Sequence, residues 1–492
     1  MTRKKPIPPA LSLLFVLAAV FSARAENWPL WRGPEGTGVS SDKALPLKWS
    51  TSENVRWRTE LPGPCHSSPI VWGDRVFITQ ALDGGKRRTL MCFNRADGKL
   101  LWQSGVTYAE PEPISENNTY CAGSPATDGE RVYVCFGSAG VYAYDFEGKE
   151  TWHRDLGKLT NAFGTAISPI LAGEQCILNF GPDPKARLIA LNRKTGEIAW
   201  EAVPPKPDES ELQSGGPGGP GGPGGPGRPP EPGGPGGPGG PGMGPGPGGP
   251  PGADRGPGGP GGPPRNGPGP GGPGRPGGGV DPARGSSWST PIVVNTDGHA
   301  EVILATAGRL SAYDPASGRQ LWLSKGLGAS VYSSPLSGEG LVFAMTSGPG
   351  GGPAIAVKPG GSGDVTESHR AWRVEGVKSA IGSGVIHNGH LFLIGQDGTA
   401  LCLDLKTGKT VWEERLRGAA GRGSSWSSML LADGKIYVPN QSGDVFVLRA
   451  GPQFELLATN SVGESTNASL AASNGELFMR TDKSLWCFAN RP

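Results

Sequence analysis

AYDPASGRQLW (312–322) is the stretch that decides the fold, because its frame returns as ALNRKTGEIAW (190–200), CLDLKTGKTVW (402–412) and CFNRADGKLLW (92–102). A fifth copy, AYDFEGKETW (143–152), is one residue shorter. The frame reads as two strands joined by a turn. Its Asp or Asn hydrogen-bonds the turn backbone, and its Gly takes the positive φ that closes the hairpin. The small first residue points inward on an alternating strand, and the Trp at the far end lies between neighbouring sheets. One such buried Trp is worth on the order of 3–5 kcal/mol.

Working outward from that frame, each unit opens on Ser-Pro or a similar pair, followed by a Gly/Asp turn and a short apolar strand. The openings stand at Ser68-Pro69, Ser124-Pro125, Ser168-Pro169, Thr290-Pro291 and Ser334-Pro335, with later units near Gly384, Ser428 and Ser469. Self-similarity with a period of roughly 40–50 residues is the signature of propeller blades. The expected fold is all-β, an eight-bladed β-propeller of four-stranded antiparallel blades. Seven blades stay open, because the fifth unit (AVKPGG) and the seventh are degenerate. In the seventh, Phe454 stands where a Trp is expected. The eighth, ending in SLWCFAN, stops before its outer strand, whereas NVRWRT (54–59) has an outer-strand pattern and no repeat before it. Closure of the ring by this N-terminal strand leaves no unpaired terminal edge. The docking tryptophans on this reading are Trp57, Trp102, Trp152, Trp200, Trp322, Trp372 and Trp412.

The flanking segments read differently. Residues 1–25 carry Arg3, Lys4 and Lys5, an apolar run from Ala10 to Phe21, and Ala23-Arg24-Ala25. This is the pattern of an export signal cleaved after Ala25, and twelve apolar residues are too few to span a bilayer. The mature chain is expected to be periplasmic or extracellular. Residues 26–53 form an N-terminal extension, 54–203 hold the closing strand and blades 1–3, and 284–490 hold blades 4–8. Between them, 204–283 is dominated by GGP and GPG without a steady triplet phase, which excludes collagen and predicts a disordered insertion.

With 46 Lys+Arg against 44 Asp+Glu, nothing points to nucleic acid. Cys92, Cys402 and Cys487 share one repeat position and read as core. Cys65, Cys121, Cys135 and Cys176 could include one disulfide of unspecified pairing. There is no CxxC pair, no nucleophile elbow and no phosphate loop. HNGH (387–390) reads as a hairpin rather than a zinc site.

The Trp-containing blade motif, over most of Trp57 to Phe488, resembles the repeat of quinoprotein alcohol dehydrogenase-like propellers. WPLWRGP (28–34), with Gly36 and Gly38 following, is similar to the opening of PQQ-binding-like β-propeller repeat proteins, which are likened to the outer-membrane assembly factor BamB. That resemblance implies a scaffold in the cell envelope that binds protein partners. BamB is a lipoprotein, whereas this leader has no lipidation cysteine. The enzymes of the superfamily imply PQQ with Ca²⁺ and an adjacent cysteine pair; no two cysteines here are adjacent, and no Glu/Asn/Asp set can be assigned to the ion.

The remaining signal is a duplicated hexapeptide, RGSSWS, at 284–289 and 422–427. Each copy lies at an innermost strand, so Arg284, Trp288, Arg422 and Trp426 are expected to rim one mouth of the central channel. His66, Phe163 and Tyr332 are placed at equivalent points, so the candidate ligand funnel is His66, Arg284, Trp288, Tyr332, Arg422 and Trp426. No catalytic or metal residue is assigned, and a monomer is expected. The leading function is non-catalytic binding of an envelope or secreted protein, or of a ligand, with no cofactor. The alternatives are a PQQ-dependent dehydrogenase with a divergent site and a propeller that binds carbohydrate or cell wall.

Overall fold

A computed structural model describes residues 26–182, 185–207, 212, 285–347, 351–378, 380–418 and 423–490. These form eight antiparallel sheets of four strands, the blades of an eight-bladed propeller. Blade 1 runs from Ile70–Trp72 to Leu100–Thr107, and blade 4 from Ile292–Thr296 to Gln320–Lys325. Blade 7 runs from Leu430–Ala432 to Leu456–Ser461. Two short parallel strands add to these sheets, Val39–Ser40 on blade 7 and Gly363–Asp364 on blade 4. The ring closes as the unpaired NVRWRT segment requires: Val55–Glu60 pairs antiparallel with the C-terminal strand Ser484–Ala489 and completes blade 8.

The repeat motif is now explained by its pairings. Its first residue lies directly across from its Trp: Ala312 from Trp322, Ala190 from Trp200, Cys92 from Trp102 and Cys402 from Trp412. A large side chain there would displace the indole. The motif glycine has a second duty besides its positive φ. A Cβ on Gly98, Gly196 or Gly318 would stand 2.4–2.5 Å from the ring of the preceding blade's Trp57, Trp152 or Trp200. Each indole N–H is then within reach of the next blade's turn, with Trp57 donating to Arg95 O (2.7 Å), Trp152 to Arg193 O (2.8 Å) and Trp372 to Leu405 O (2.8 Å).

Blade 7 corrects one expectation. The cross-strand partner of Val447 is Ala458, so Ala458 and not Phe454 holds the Trp position. Phe454 instead packs edge-on against Trp412. The vacated space is filled from outside the repeat. Trp49 of the N-terminal extension is buried with its ring 6.3 Å from Tyr437, the relation Trp152 has to Tyr133 at 6.0 Å. Its backbone N–H donates to Asn460 Oδ1.

All seven cysteines are buried free thiols, so none of the four uncommitted ones is paired. The HNGH segment is a two-residue hairpin in which His387 lies opposite His390, with positive φ at Asn388 and Gly389. The export signal and the Pro/Gly-rich insertion, apart from residues 204–207 and 212, lie outside the described residues. No helix among the described residues is long and apolar enough to cross a membrane.

Candidate ligand funnel

The Ser-Pro openings build a girdle. The backbone N–H of seven of the eight opening residues donates to the hydroxyl of the next blade's: Ser68 to Ser124, Ser124 to Ser168, Thr290 to Ser334, Ser334 to Ser383, Ser383 to Ser428, Ser428 to Ser469, and Ser469 back to Ser68. All seven bonds are 2.8–3.0 Å. Buried N–H groups at a strand's start need acceptors, and a hydroxyl one blade away supplies them. This is why a short hydroxyl residue recurs there.

Two residues before each girdle position the side chain turns into the channel, and these eight residues form a collar: His66, Ala122, Ala166, Trp288, Tyr332, Ile381, Trp426 and Asn467. All eight line one cavity of 390 Å³. The RGSSWS repeat owes its geometry to its second serine. Ser287 and Ser425 are buried and donate to Ala305 O and Pro439 O, both at 2.7 Å, which fixes the backbone and aims the following Trp at the cavity. Trp288 is held further by its indole N–H on Gly164 O (3.0 Å) and meets Tyr332 edge-on at 5.1 Å.

Of the six predicted funnel residues, His66, Trp288, Tyr332 and Trp426 therefore come together; Arg284 and Arg422 lie outside the described residues. The register places Ala166, not Phe163, at the equivalent collar point. Phe163 reaches the same cavity from the loop before it, 6.2 Å from Trp288. His66 Nε2 is 3.3 Å from Asn467 Nδ2. Burial, with the nearby Arg480 adding to it and Cys65 opposing, holds its pKa below the ordinary imidazole range. The unfolded chain therefore takes up this proton at a higher pH than the folded one. This contribution to stability falls as pH drops through the unfolded imidazole range.

Three features of the cavity had no separate reading in the sequence. Its floor is Trp31, from WPLWRGP. This segment crosses from blade 1, where Trp28 and Val71 exchange backbone hydrogen bonds, to blade 7, where Leu431 N–H donates to Gly38 O. Midway, Arg32 is buried and donates only to carbonyls: Ser383 O (3.1 Å) and Gly384 O (2.5 Å) of blade 6, and Gly36 O and Thr37 O of its own loop. Burial pulls its pKa down to about 9. Arg32→Met should remove the guanidinium from all four carbonyls, of which Ser383 O keeps the Met429 N–H, at about 1–3 kcal/mol. A lowered thermal midpoint and greater acrylamide quenching of tryptophan emission are the expected readouts; an unchanged midpoint would mean that the segment is not held by this residue.

The second feature is a side wall formed by Ser115, Asn117 and Asn118, from the loop after blade 1. Arg88 and Glu112, both fully or almost fully buried, pin that loop through paired contacts of 2.6 and 2.9 Å. The Arg88 guanidinium also lies 5.2 and 5.0 Å from the rings of Tyr108 and Tyr120. The third is Gln396, which lines the cavity from blade 6. Among the described residues that line the cavity there is no Asp, Glu, Lys or Arg.

Residues 37–162, 82–216 and 274–490 match the family described as the outer membrane protein assembly factor BamB. The chain belongs to the BamB family. Solved structures similar to this BamB-family chain include the quinohemoprotein alcohol dehydrogenase from Comamonas testosteroni, at 12% identity and TM-score 0.55, covering 94% of this chain and 80% of that one. The computationally designed Ika8 protein matches at 10% identity and TM-score 0.52, covering 89% and 99%. BamB from Moraxella catarrhalis matches at 13% identity and TM-score 0.49, covering 88% and 98%. At these identities the likeness is one of fold. No curated protein matches the sequence.

The superfamily's quinone and its metal can be tested against the donors present. Among the described residues no cluster of three His, Cys, Asp or Glu side chains could hold a metal ion, and the cavity lining offers no carboxylate. PQQ is a triacid that needs cationic partners, and no described lining residue is cationic. The described lining does not fit the pair.

Proposed function

We propose that this chain is a non-catalytic binding propeller of the cell envelope whose funnel receives a ligand or a projecting group of a partner. The observation that carries the reading is the funnel's chemistry: aromatic rings, amides and hydroxyls around one cavity, with no carboxylate, ammonium or guanidinium among the described lining residues. General acid–base catalysis needs a titratable group poised at the reacting atom, and among the described lining residues only His66 and Tyr332 carry one. Aromatic walls with a few oriented polar groups are what binding requires. The export signal pattern of residues 1–25 and membership of the BamB family support an envelope setting with protein neighbours. The PQQ-dependent dehydrogenase reading is the weaker one, because the described donors suit neither the quinone nor Ca²⁺.

The test is turnover. The full mature chain, given PQQ, Ca²⁺ and simple alcohols with an artificial electron-accepting dye, should reduce no more dye than a protein-free control. Dye reduction that disappears in a Trp288→Ala/Trp426→Ala variant would replace binding with catalysis at this site.

A further inference from the structure

The cup is selective in a way that its size alone does not express. Its described lining holds no Asp, Glu, Lys or Arg and its collar is two-sided: Trp288, Tyr332 and Trp426 stand on blades 4, 5 and 7, while blades 2 and 3 offer only Ala122 and Ala166 at the collar, with Phe163 entering from the loop before Ala166. Neutral amides line the cavity between the two sides. Asn118 is oriented by donating to Phe163 O (2.9 Å), and Asn467 Oδ1 accepts from Gln441 (2.9 Å). An amide carries both a donor and an acceptor, and a ring face offers a broad apolar platform.

A ligand complementary to the described lining is neutral, presents an apolar face for stacking, and carries a rim of groups that both donate and accept. A pyranose ring has all three properties: axial C–H bonds on its faces and hydroxyls around its edge. An anion would find no cation among the described lining residues, and a cationic amine no carboxylate. The floor adds a constraint. Trp31 lines the cavity from the segment anchored by Arg32, which crosses from blade 1 to blade 7 and stands in the way of a polymer threading through. A volume of 390 Å³ lies in the range of small-ligand pockets, roughly 300–1,000 Å³. Resting on the binding reading above, we infer that the funnel takes the terminal sugars of a neutral oligosaccharide chain, end-on, stacked against the Trp288–Tyr332–Trp426 side.

The full mature chain would be titrated with neutral tetrasaccharides (of glucose in β-1,4 and α-1,4 linkage, of xylose and of N-acetylglucosamine), following tryptophan emission and heat. Phosphocholine serves as the comparison ligand. At least one tetrasaccharide should bind saturably, and binding should weaken roughly tenfold or more in Trp288→Ala/Trp426→Ala. A second variant guards against misfolding. Ala166→Trp places in blade 3 the residue that the same collar position carries in blades 4 and 7, so it should fold with an unchanged thermal midpoint and yet lose binding by filling the Ala122–Ala166 side. If no tetrasaccharide binds, or phosphocholine alone binds and is displaced by Ala166→Trp, the saccharide inference fails while the funnel remains a binding site. If a tetrasaccharide binds but ignores both variants, the funnel reading fails with it.

Discussion

Arg88→Met should destabilise the chain by about 3–5 kcal/mol, because it strands Glu112 as an unpaired charge in a buried site. Arg88 is fully buried and Glu112 is 3% exposed, and the guanidinium also serves Gly85 O and Phe136 O. Methionine keeps the stem and some contact with Tyr108 and Tyr120 but donates to none of these acceptors. The loop carrying Ser115, Asn117 and Asn118 should come loose with it, so the variant should combine a lower urea midpoint with faster proteolysis between Tyr108 and Cys121. Arg88→Met/Glu112→Leu should recover part of the loss, since no buried charge is then left alone. A single variant within about 1 kcal/mol of the parent would mean that the pair does not hold the funnel wall.

Trp322→Ala is the second large effect, at about 3–5 kcal/mol. Trp322 is completely buried and sits opposite Ala312. Its neighbour, blade 5, lacks the regular turn, and the indole N–H goes instead to Glu301 Oε2 at 3.1 Å, an oxygen that also accepts from Gly360 N–H. Alanine therefore opens a cavity between blades 4 and 5 and removes one of the donors to a buried carboxylate. Trp322→Phe keeps most of the ring and should cost less than alanine, the difference between the two variants reading the packing share. Thermal unfolding of the three proteins decides it, and equal midpoints would contradict an interblade docking role.

Most of the architecture was legible because one frame repeats with its physics intact. The Ala–Trp spacing encoded a cross-strand pair, and the unpaired NVRWRT strand encoded closure. Blade count stayed open where the frame was damaged. Trp49 occupies the seventh docking slot from another part of the chain, and no periodicity within the repeat could point to it. The funnel was half legible. The duplicated RGSSWS marked two collar aromatics, and His66 and Tyr332 fell at the same register. Phe163 was misplaced by three residues, because alignment by aromatic character ignored the girdle hydroxyl that sets the register. The floor was missed for a different reason: WPLWRGP is not a repeat, and only the path of the chain from blade 1 to blade 7 brings Trp31 beneath the collar. The serine in each opening pair was itself the usable signal, since a hydroxyl recurring at the start of every blade needs a partner one blade away.

The most direct measurement is a side-by-side titration of the full mature chain, by tryptophan emission, with PQQ plus Ca²⁺ and with the four neutral tetrasaccharides. A cup without charge among its described lining residues predicts saturable binding of a tetrasaccharide, lost on Ala166→Trp, and no saturable quenching by PQQ into the high micromolar range. Saturable PQQ binding that depends on Ca²⁺ and is lost in Trp288→Ala/Trp426→Ala would contradict it and return the funnel to the quinone.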